Sequence, residues 1–282
     1  MLLQCPMGLV DAFASSHFGG NPAGVCVVDA FPDACVMQNV AFELNWSETA
    51  FVKPLEKNNY HIRWFSPEDE APICGHATLA AAHFLLENNF VIGSSVVFQS
   101  AAGPLTVIEQ VYEQEKWLVM DFPAVPVCVC ESDDEVASVK KVFPEDVQPK
   151  IKQVLKDSII YVVVVENEAD VLHCAPNLEQ LKTLNCRAIS VTAAATPGGA
   201  SCGYDFVSRY FAPKVGIPED PVCGSSHCRL TPFWAGVLNK DTMVARQLSR
   251  RRGVLQVSYD AKANRVSIAG QAKTVLTGRL SI

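Results

Sequence analysis

One pattern occurs twice in this chain, and the duplication constrains the fold more than any other feature. Arg63-Trp64-Phe65-Ser66-Pro67 is followed, after an acidic stretch, by Pro72-Ile73-Cys74-Gly75. Far downstream, Arg209-Tyr210-Phe211-Ala212-Pro213 is followed by Pro221-Val222-Cys223-Gly224. Each copy then runs into an alanine-, leucine- or aromatic-rich stretch with the composition of a helix. The two Cys-Gly pairs lie 149 residues apart in a chain of 282. Solenoid repeats recur every ~20–50 residues, so this period predicts two similar halves instead. Each half is expected to hold a strand–turn–helix unit ending in Cys-Gly, with the two units facing one another across a cleft. Each side of that cleft would then carry one thiol and one set of free helix N–H groups.

Bulk properties narrow the class. A chain of this length can bury a core as one large domain or two ordinary ones. A net charge of -7 argues against nucleic acid as a partner, because phosphate contacts need clustered Lys and Arg. The only basic run, Arg250-Arg251-Arg252, reads as a solvated turn. No stretch approaches the ~20 apolar residues of a membrane span, and the N-terminus lacks the pattern of a signal peptide. The 11 cysteines are odd in number and irregularly spaced. They read as reduced thiols of a cytoplasmic protein, mostly small buried hydrophobes, and they lack the paired spacing of a zinc site.

The periodicity predicts many short strands and few helices. Residues 7–13, 25–28, 49–52, 61–65, 96–99, 105–108 and 117–121 read as strands of the first half. Asp33 is placed to cap a helix that carries Val36, Val40 and Leu44 at helical spacing. His76 to Leu86 is almost wholly apolar, as in a helix buried on most sides. Pro123, Pro126 and the acidic run Glu131 to Glu135 mark a crossing between halves. Beyond it, a polar helix is expected over 145–156 and a β-branched strand over 159–165. A short helix over 177–184 and a strand over 188–192 follow, then a loop at Thr196-Pro197-Gly198-Gly199. A strand over 204–211, a second buried helix over 225–238, and strands at 254–259, 265–268 and 274–276 complete the chain. The class is α+β, with each half a sheet curled around one helix, which leaves few open edges.

The candidate chemistry lies at the two Cys-Gly turns. Glycine lets backbone approach a ligand closely. The first N–H groups of the helix that follows have no partner within it, and with the helix dipole they favour an anion. The candidate substrate-binding set is therefore Cys74, Gly75 and Ala77 at one tip, and Cys223, Gly224, Ser225 and Ser226 at the other. Such tips suit a small carboxylic acid and need no basic side chain. Glu48, flanked by Trp46 and Phe51, is a candidate general acid or base if buried. Taken alone, a glutamate at the mouth of a strand is more often a solvated surface residue. His76 sits where the first helix begins and could donate to a substrate or shuttle a proton; it could also be a capping or core residue. Asp220 could orient a substrate group or pair with His76, or simply form the turn before Pro221. His83 and His227 read as core residues. The sequence contains no phosphate loop, nucleotide fingerprint, H-E-x-x-H or G-x-S-x-G elbow, and no metal or cofactor site is expected.

Taken together, Asp11-Ala12-Phe13, Gly20-Asn21-Pro22-Ala23, Ser47-Glu48-Thr49-Ala50-Phe51, Arg63-Trp64-Phe65, Cys74-Gly75-His76-Ala77-Thr78 and Glu219-Asp220-Pro221-Val222-Cys223-Gly224-Ser225 resemble the signature segments of the PhzF family of phenazine-biosynthesis-like isomerases. The likeness spans essentially the whole chain and leans toward the animal phenazine biosynthesis-like domain-containing proteins. It implies a diaminopimelate epimerase-like fold of two similar domains, each a barrel-like, mostly antiparallel sheet around a central helix. The domains would comprise residues 1–124 with 272–282, and residues 125–271, since the last short strand would return to the first. The resemblance also implies cofactor-independent proton transfer and a homodimer. The family's catalytic glutamate falls on Glu48, its assisting histidine and aspartate on His76 and Asp220, and a substrate-contacting serine on Ser225.

Two positions depart from the family pattern. Many relatives carry Thr where this chain has Cys223, and Arg252 stands where an Arg-Gly-Gly turn would have glycine. Cys74 and Cys223 also match positions at which more distant epimerases of this fold place catalytic cysteines. The leading expectation is an isomerase that moves a proton with Glu48. The alternatives are an amino-acid-type racemase or epimerase using Cys74 and Cys223, and a non-catalytic binding or scaffold protein on the same fold.

Overall fold

A computed structural model describes residues 4–281. The chain divides into two compact units, Met1–Asp121 with Ser267–Ile282, and Phe122–Val266. The elements up to the first border are β1 (Gln4–Ala12), β2 (Asn21–Val27), α1 (Ala34–Leu44), β3 (Thr49–Pro54), β4 (Asn59–Phe65), β5 (Glu70–Ala71), α2 (Gly75–Glu87), β6 (Ser95–Ser100), β7 (Gly103–Tyr112) and β8 (Glu115–Pro123). Then come β9 (Cys128–Val129), α3 (Asp133–Lys141), β10 (Ile151–Lys156), β11 (Ile160–Val165), α4 (Glu168–His173), α5 (Leu178–Thr183), β12 (Ala188–Ala194), β13 (Phe206–Ala212), β14 (Ile217–Asp220), α6 (Gly224–Leu238), β15 (Thr242–Gln247) and β16 (Gly253–Asp260). β17 (Arg265–Gly270) and β18 (Ala272–Ser281) end the chain.

The duplication extends to the strand pairings. In the first unit β1 and β2 pair antiparallel, β2 and β3 parallel, β3 and β4 antiparallel, β4 and β6 parallel, and β6 and β7 antiparallel. In the second, β10, β11, β12, β13, β15 and β16 pair in the same alternation. Each parallel step needs a crossover connection. α1 supplies the first in one unit, and α4 with α5 in the other. The second crossover is made by a short return strand and a long helix, β5 with α2 and β14 with α6. β18 pairs antiparallel with β1 and so belongs to the first unit.

In each unit the long helix is buried. Seven consecutive α2 residues, His76 to Ala82, are buried, and that run passes round the whole helix at 3.6 residues per turn. α2 packs against β1, β2, β3 and β18. Gly8 on β1 makes room for Phe84: a Cβ there would lie 2.5 Å from the ring. α6 is buried from Ser226 to Thr231 and again at Trp234 and Ala235. Pro232 interrupts its bonding, because proline has no N–H for the carbonyl four residues back. The Cys228 carbonyl accepts instead from Val125 N at 2.9 Å.

The repeated motif takes the same form in both copies. Arg63 Nε and Nη2 each donate to Glu70 at 2.7 Å, and the guanidinium lies 5.2 Å from the Phe65 ring. Arg209 Nε and Nη2 donate to Glu219 at 2.6 and 2.9 Å, over the Phe211 ring at 4.9 Å. The second hairpin is three residues longer, and the single 3₁₀ turn Pro213–Val215 takes up the extra length.

Three local expectations are corrected. Residues 145–156 are not a helix: a short 3₁₀ turn leads into β10, whose Ile151 and Val154 face the core. The helix lies earlier, within the acidic stretch read as a crossing. Ser132 caps α3 by accepting from Glu135 N, with three acidic residues in its first turn and Lys140 and Lys141 in its last, matching the dipole. Asp33 occupies the N-cap of α1, but its side chain accepts no capping bond. The strand β15 and the helix α4 were not foreseen. Among the described residues, no helix is long and apolar enough to cross a membrane, and none of the 11 cysteines is joined in a disulfide.

The cap of α3 is testable. Ser132→Ala should lower unfolding stability by about 1 kcal/mol, read by chemical denaturation.

Candidate functional site

The first unit assembles one group of candidate residues at the start of α2. Cys74 is the N-cap, in extended conformation, and Gly75 is the first helical residue. Thr78 closes the turn, donating from N at 3.1 Å and from Oγ1 at 2.6 Å to the Cys74 carbonyl. His76 and Ala77 are buried. Glu48 immediately precedes β3 and is 5 % exposed. Its carbonyl accepts from Gly24 N at 2.9 Å, which fixes it to β2. The sharp approach to β2 needs Gly20, whose φ is +68° and whose Cβ would lie 2.2 Å from the Ala12 carbonyl.

Ser47 joins Glu48 to His76. Its hydroxyl lies 2.5 Å from the Pro22 carbonyl, 2.9 Å from Asn21 Oδ1 and 3.5 Å from His76 Nε2. The other imidazole nitrogen, Nδ1, lies 3.3 Å from the Cys74 sulfur. Burial lowers the His76 pKa to about 4, so the ring is neutral near pH 7 and carries one proton. Ser47 gives its only proton to a carbonyl, so its lone pair is free to accept from Nε2–H. Nδ1 then accepts from the Cys74 thiol. The bonding thus selects the Nε2–H tautomer and aligns Cys74, His76 and Ser47 in one donor chain.

The second unit carries the equivalent tip. Cys223 is the extended N-cap of α6, and Gly224 begins the helix. The imidazole of His227 occupies the place of Thr78: its Nδ1 lies 2.8 Å from the Cys223 carbonyl. Burial lowers its pKa also to about 4. Ser225 Oγ lies 3.4 Å from the Cys223 sulfur, and Ser226 is buried with its hydroxyl 2.9 Å from Ser190 Oγ. Burial, and then the negative charge of Asp220, push the Cys223 thiol well above its usual pKa. It is a thiol at neutral pH. Asp220 ends β14, where it pairs with Tyr210.

Several residues that hold these groups were not singled out from the sequence. Ser47 lay inside a quoted motif without a role. Gln247, at the end of β15, accepts from Cys223 N at 2.9 Å and donates to the Asp220 carbonyl at 2.6 Å. Ser249 donates to the Pro221 carbonyl at 2.7 Å. Arg229 reaches back along α6 to the Ser225 carbonyl at 3.1 Å and pairs with Asp157 at 2.6 Å. Arg252, noted as a departure, has φ +58°. The backbone there takes the left-handed form that glycine favours, with an arginine in it. Among the described residues no group of His, Cys, Asp or Glu could hold a metal ion.

A family described as phenazine biosynthesis-like protein, PhzC-PhzF, matches residues 10–278. The chain belongs to this family. An uncharacterized isomerase of Pseudomonas aeruginosa is 41 % identical over 280 residues, covering 99 % of this chain and 100 % of that one. A phenazine biosynthesis-like domain-containing protein of Mus musculus is 34 % identical over 307 residues, at 99 % and 100 % coverage. The animal relatives are thus no more similar than the bacterial ones. A PhzF-family crystal structure from Enterococcus faecalis superposes with a TM-score of 0.88 at 36 % identity, over 99 % of this chain and 100 % of that one. A hydroxyproline epimerase from Agrobacterium vitis, at 12 % identity and a TM-score of 0.60 over 99 % and 91 %, shares the fold. Membership of the PhzC-PhzF family, with relatives named isomerases, supports an enzyme of the isomerase class.

The two buried imidazoles have a consequence for stability. Each has a folded pKa near 4 against 6.5 when exposed. As pH falls below 6.5 the unfolded chain takes up protons that the folded chain refuses, so stability drops until pH passes the folded value. Between pH 7 and pH 5 each histidine should cost about 2 kcal/mol. Denaturant unfolding at the two pH values checks this, and His227→Gln should remove about half of the histidine-dependent drop.

Proposed function

We propose that this protein is a cofactor-independent isomerase that moves a proton between carbons of a small carboxylic acid, with Glu48 as the base and then the acid. The observation that carries the proposal is the burial of Glu48 next to Ser47, whose hydroxyl meets His76 at the start of α2. A carboxylate withdrawn from water can accept a proton from carbon and return it without losing it to solvent. The carbon acid must lie beside a carbonyl or unsaturated centre, so that the electron pair left by the proton has somewhere to go. The N–H groups of Gly75 and Ala77 offer donors to the substrate carboxylate and to the charge that develops. Neutral His76 serves as a hydrogen-bond donor or proton carrier rather than a fixed cation. In the second unit Asp220, Gly224, Ser225 and Ser226 form the equivalent tip, with the same kind of helix-start N–H donors at α6. We take the working form to be a homodimer, as the family resemblance implies.

A second reading has a specific observation in its favour. The Cys74 thiol is bonded to His76 Nδ1, and Cys223 occupies the matching position on α6. Two thiol groups acting on opposite faces of one carbon would invert its configuration. Such an epimerase needs one of them as thiolate, and the raised pKa of Cys223 restricts that side to the proton donor.

Incubation of candidate acids in deuterated water separates the two. Glu48→Gln should abolish carbon-bound deuterium incorporation while leaving the fold intact, and full exchange in that variant removes the assignment. Cys223→Thr should be mild for the isomerase, whereas loss of stereoinversion in that variant selects the epimerase.

A further inference from the structure

We propose that Gln247 is a positioning residue that sets the geometry of Asp220 and Cys223 for turnover, an inference that rests on the proposed role of Asp220 in the reaction. Four consecutive residues, Asp220 to Cys223, form the turn between β14 and α6. A single side-chain amide spans it from the inside. Gln247 Oε1 accepts from Cys223 N at 2.9 Å, and Gln247 Nε2 donates to the Asp220 carbonyl at 2.6 Å. The side chain has no solvent exposure. It comes from β15, whose register beside β13 places Gln247 opposite Ser208. Ser249 completes the support by donating to the Pro221 carbonyl at 2.7 Å and accepting from Arg252 N at 3.0 Å.

The chemistry of the site demands an amide. One end must accept and the other must donate, at the spacing of one planar group, without a buried charge. An amide meets this requirement at every pH, and of the two amide side chains Gln has the longer reach. An ionised carboxylate in its place would still accept from Cys223 N but would set an oxygen against the Asp220 carbonyl. It would also add a negative charge close to Asp220. A protonated carboxyl, by contrast, reproduces both bonds: its carbonyl accepts and its O–H donates. Gln247→Glu is therefore a substitution whose geometry pH can switch.

The test measures kcat and KM for deuterium exchange against pH, per folded molecule, for wild type, Gln247→Glu and Gln247→Met. The ratio of Gln247→Glu to wild-type kcat should approach one at low pH. It should fall by about a hundredfold as the introduced carboxyl ionises, with a step that the wild type lacks. Burial raises that carboxyl's pKa above the usual range, so the step should come late. Gln247→Met should lose kcat at every pH. Both effects should fall on kcat rather than KM. Should the two variants lose only stability, with wild-type kcat in the folded fraction, Gln247 is an ordinary buried support and the inference is overturned. Should Gln247→Glu be inactive without pH dependence, the bonding argument is overturned. If wild-type protein exchanges no proton with any acid while the fold is intact, the proposed function fails first and this inference with it, an outcome distinct from both others.

Discussion

Both halves of this molecule depend on one small device, a guanidinium that grips a glutamate across a hairpin and lies over the ring of a phenylalanine two residues further along. Arg63 does this with Glu70 and Phe65, and Arg209 with Glu219 and Phe211. Each fork holds a return strand of only a few residues that could not hold itself. The strand in turn delivers a cysteine, in extended conformation, to the N-cap of the buried helix. Energetically the two forks differ. The first is more exposed, and such a pair contributes about 1 kcal/mol at most. The second is less exposed and is tied further, since Arg209 Nη1 also donates to the Cys174 carbonyl at the end of α4. The fork orients more than it stabilises, because a bidentate pair fixes the angle as well as the distance.

The two tips share a scaffold but differ in chemistry. At α2 a neutral imidazole stands in a chain with a thiol and Ser47, and the residue after Ser47, Glu48, is buried. At α6 the same helical position as His76 is Ser225, and the imidazole has moved two residues on to His227, where it serves the turn. The two helix starts have the same backbone form and carry different ionisable groups.

Much of this was legible in the sequence because the signals were local or repeated. The long helices announced themselves by runs such as Leu79-Ala80-Ala81-Ala82, and the Arg…Cys-Gly recurrence revealed the halves. The alternation of parallel and antiparallel pairs was not legible, since pairing order is a property of crossovers rather than of any strand's own pattern. Residues 145–156 misled because their charged residues imitate a polar helix, while Ile151 and Val154 belong to a strand that faces the core. The acidic run 131–135 looked like a linker because its content is charged, although Ser132 and Lys140 arrange that charge as a helix prefers. Glu48 and His76 could be named from their motifs. Gln247 could not, because its partners are backbone groups more than twenty residues away and nothing in its neighbourhood marks it.

Pro232 has a structural consequence of its own. By withholding one N–H it leaves the Cys228 carbonyl open in the middle of α6, and the amide of Val125 fills that vacancy. The strip of chain that enters the second unit is therefore stitched to its helix, not draped beside it. Anyone excising that unit for separate study would need to begin upstream of Val125. A fragment starting later would bury an orphaned carbonyl halfway along the helix whose tip carries Cys223.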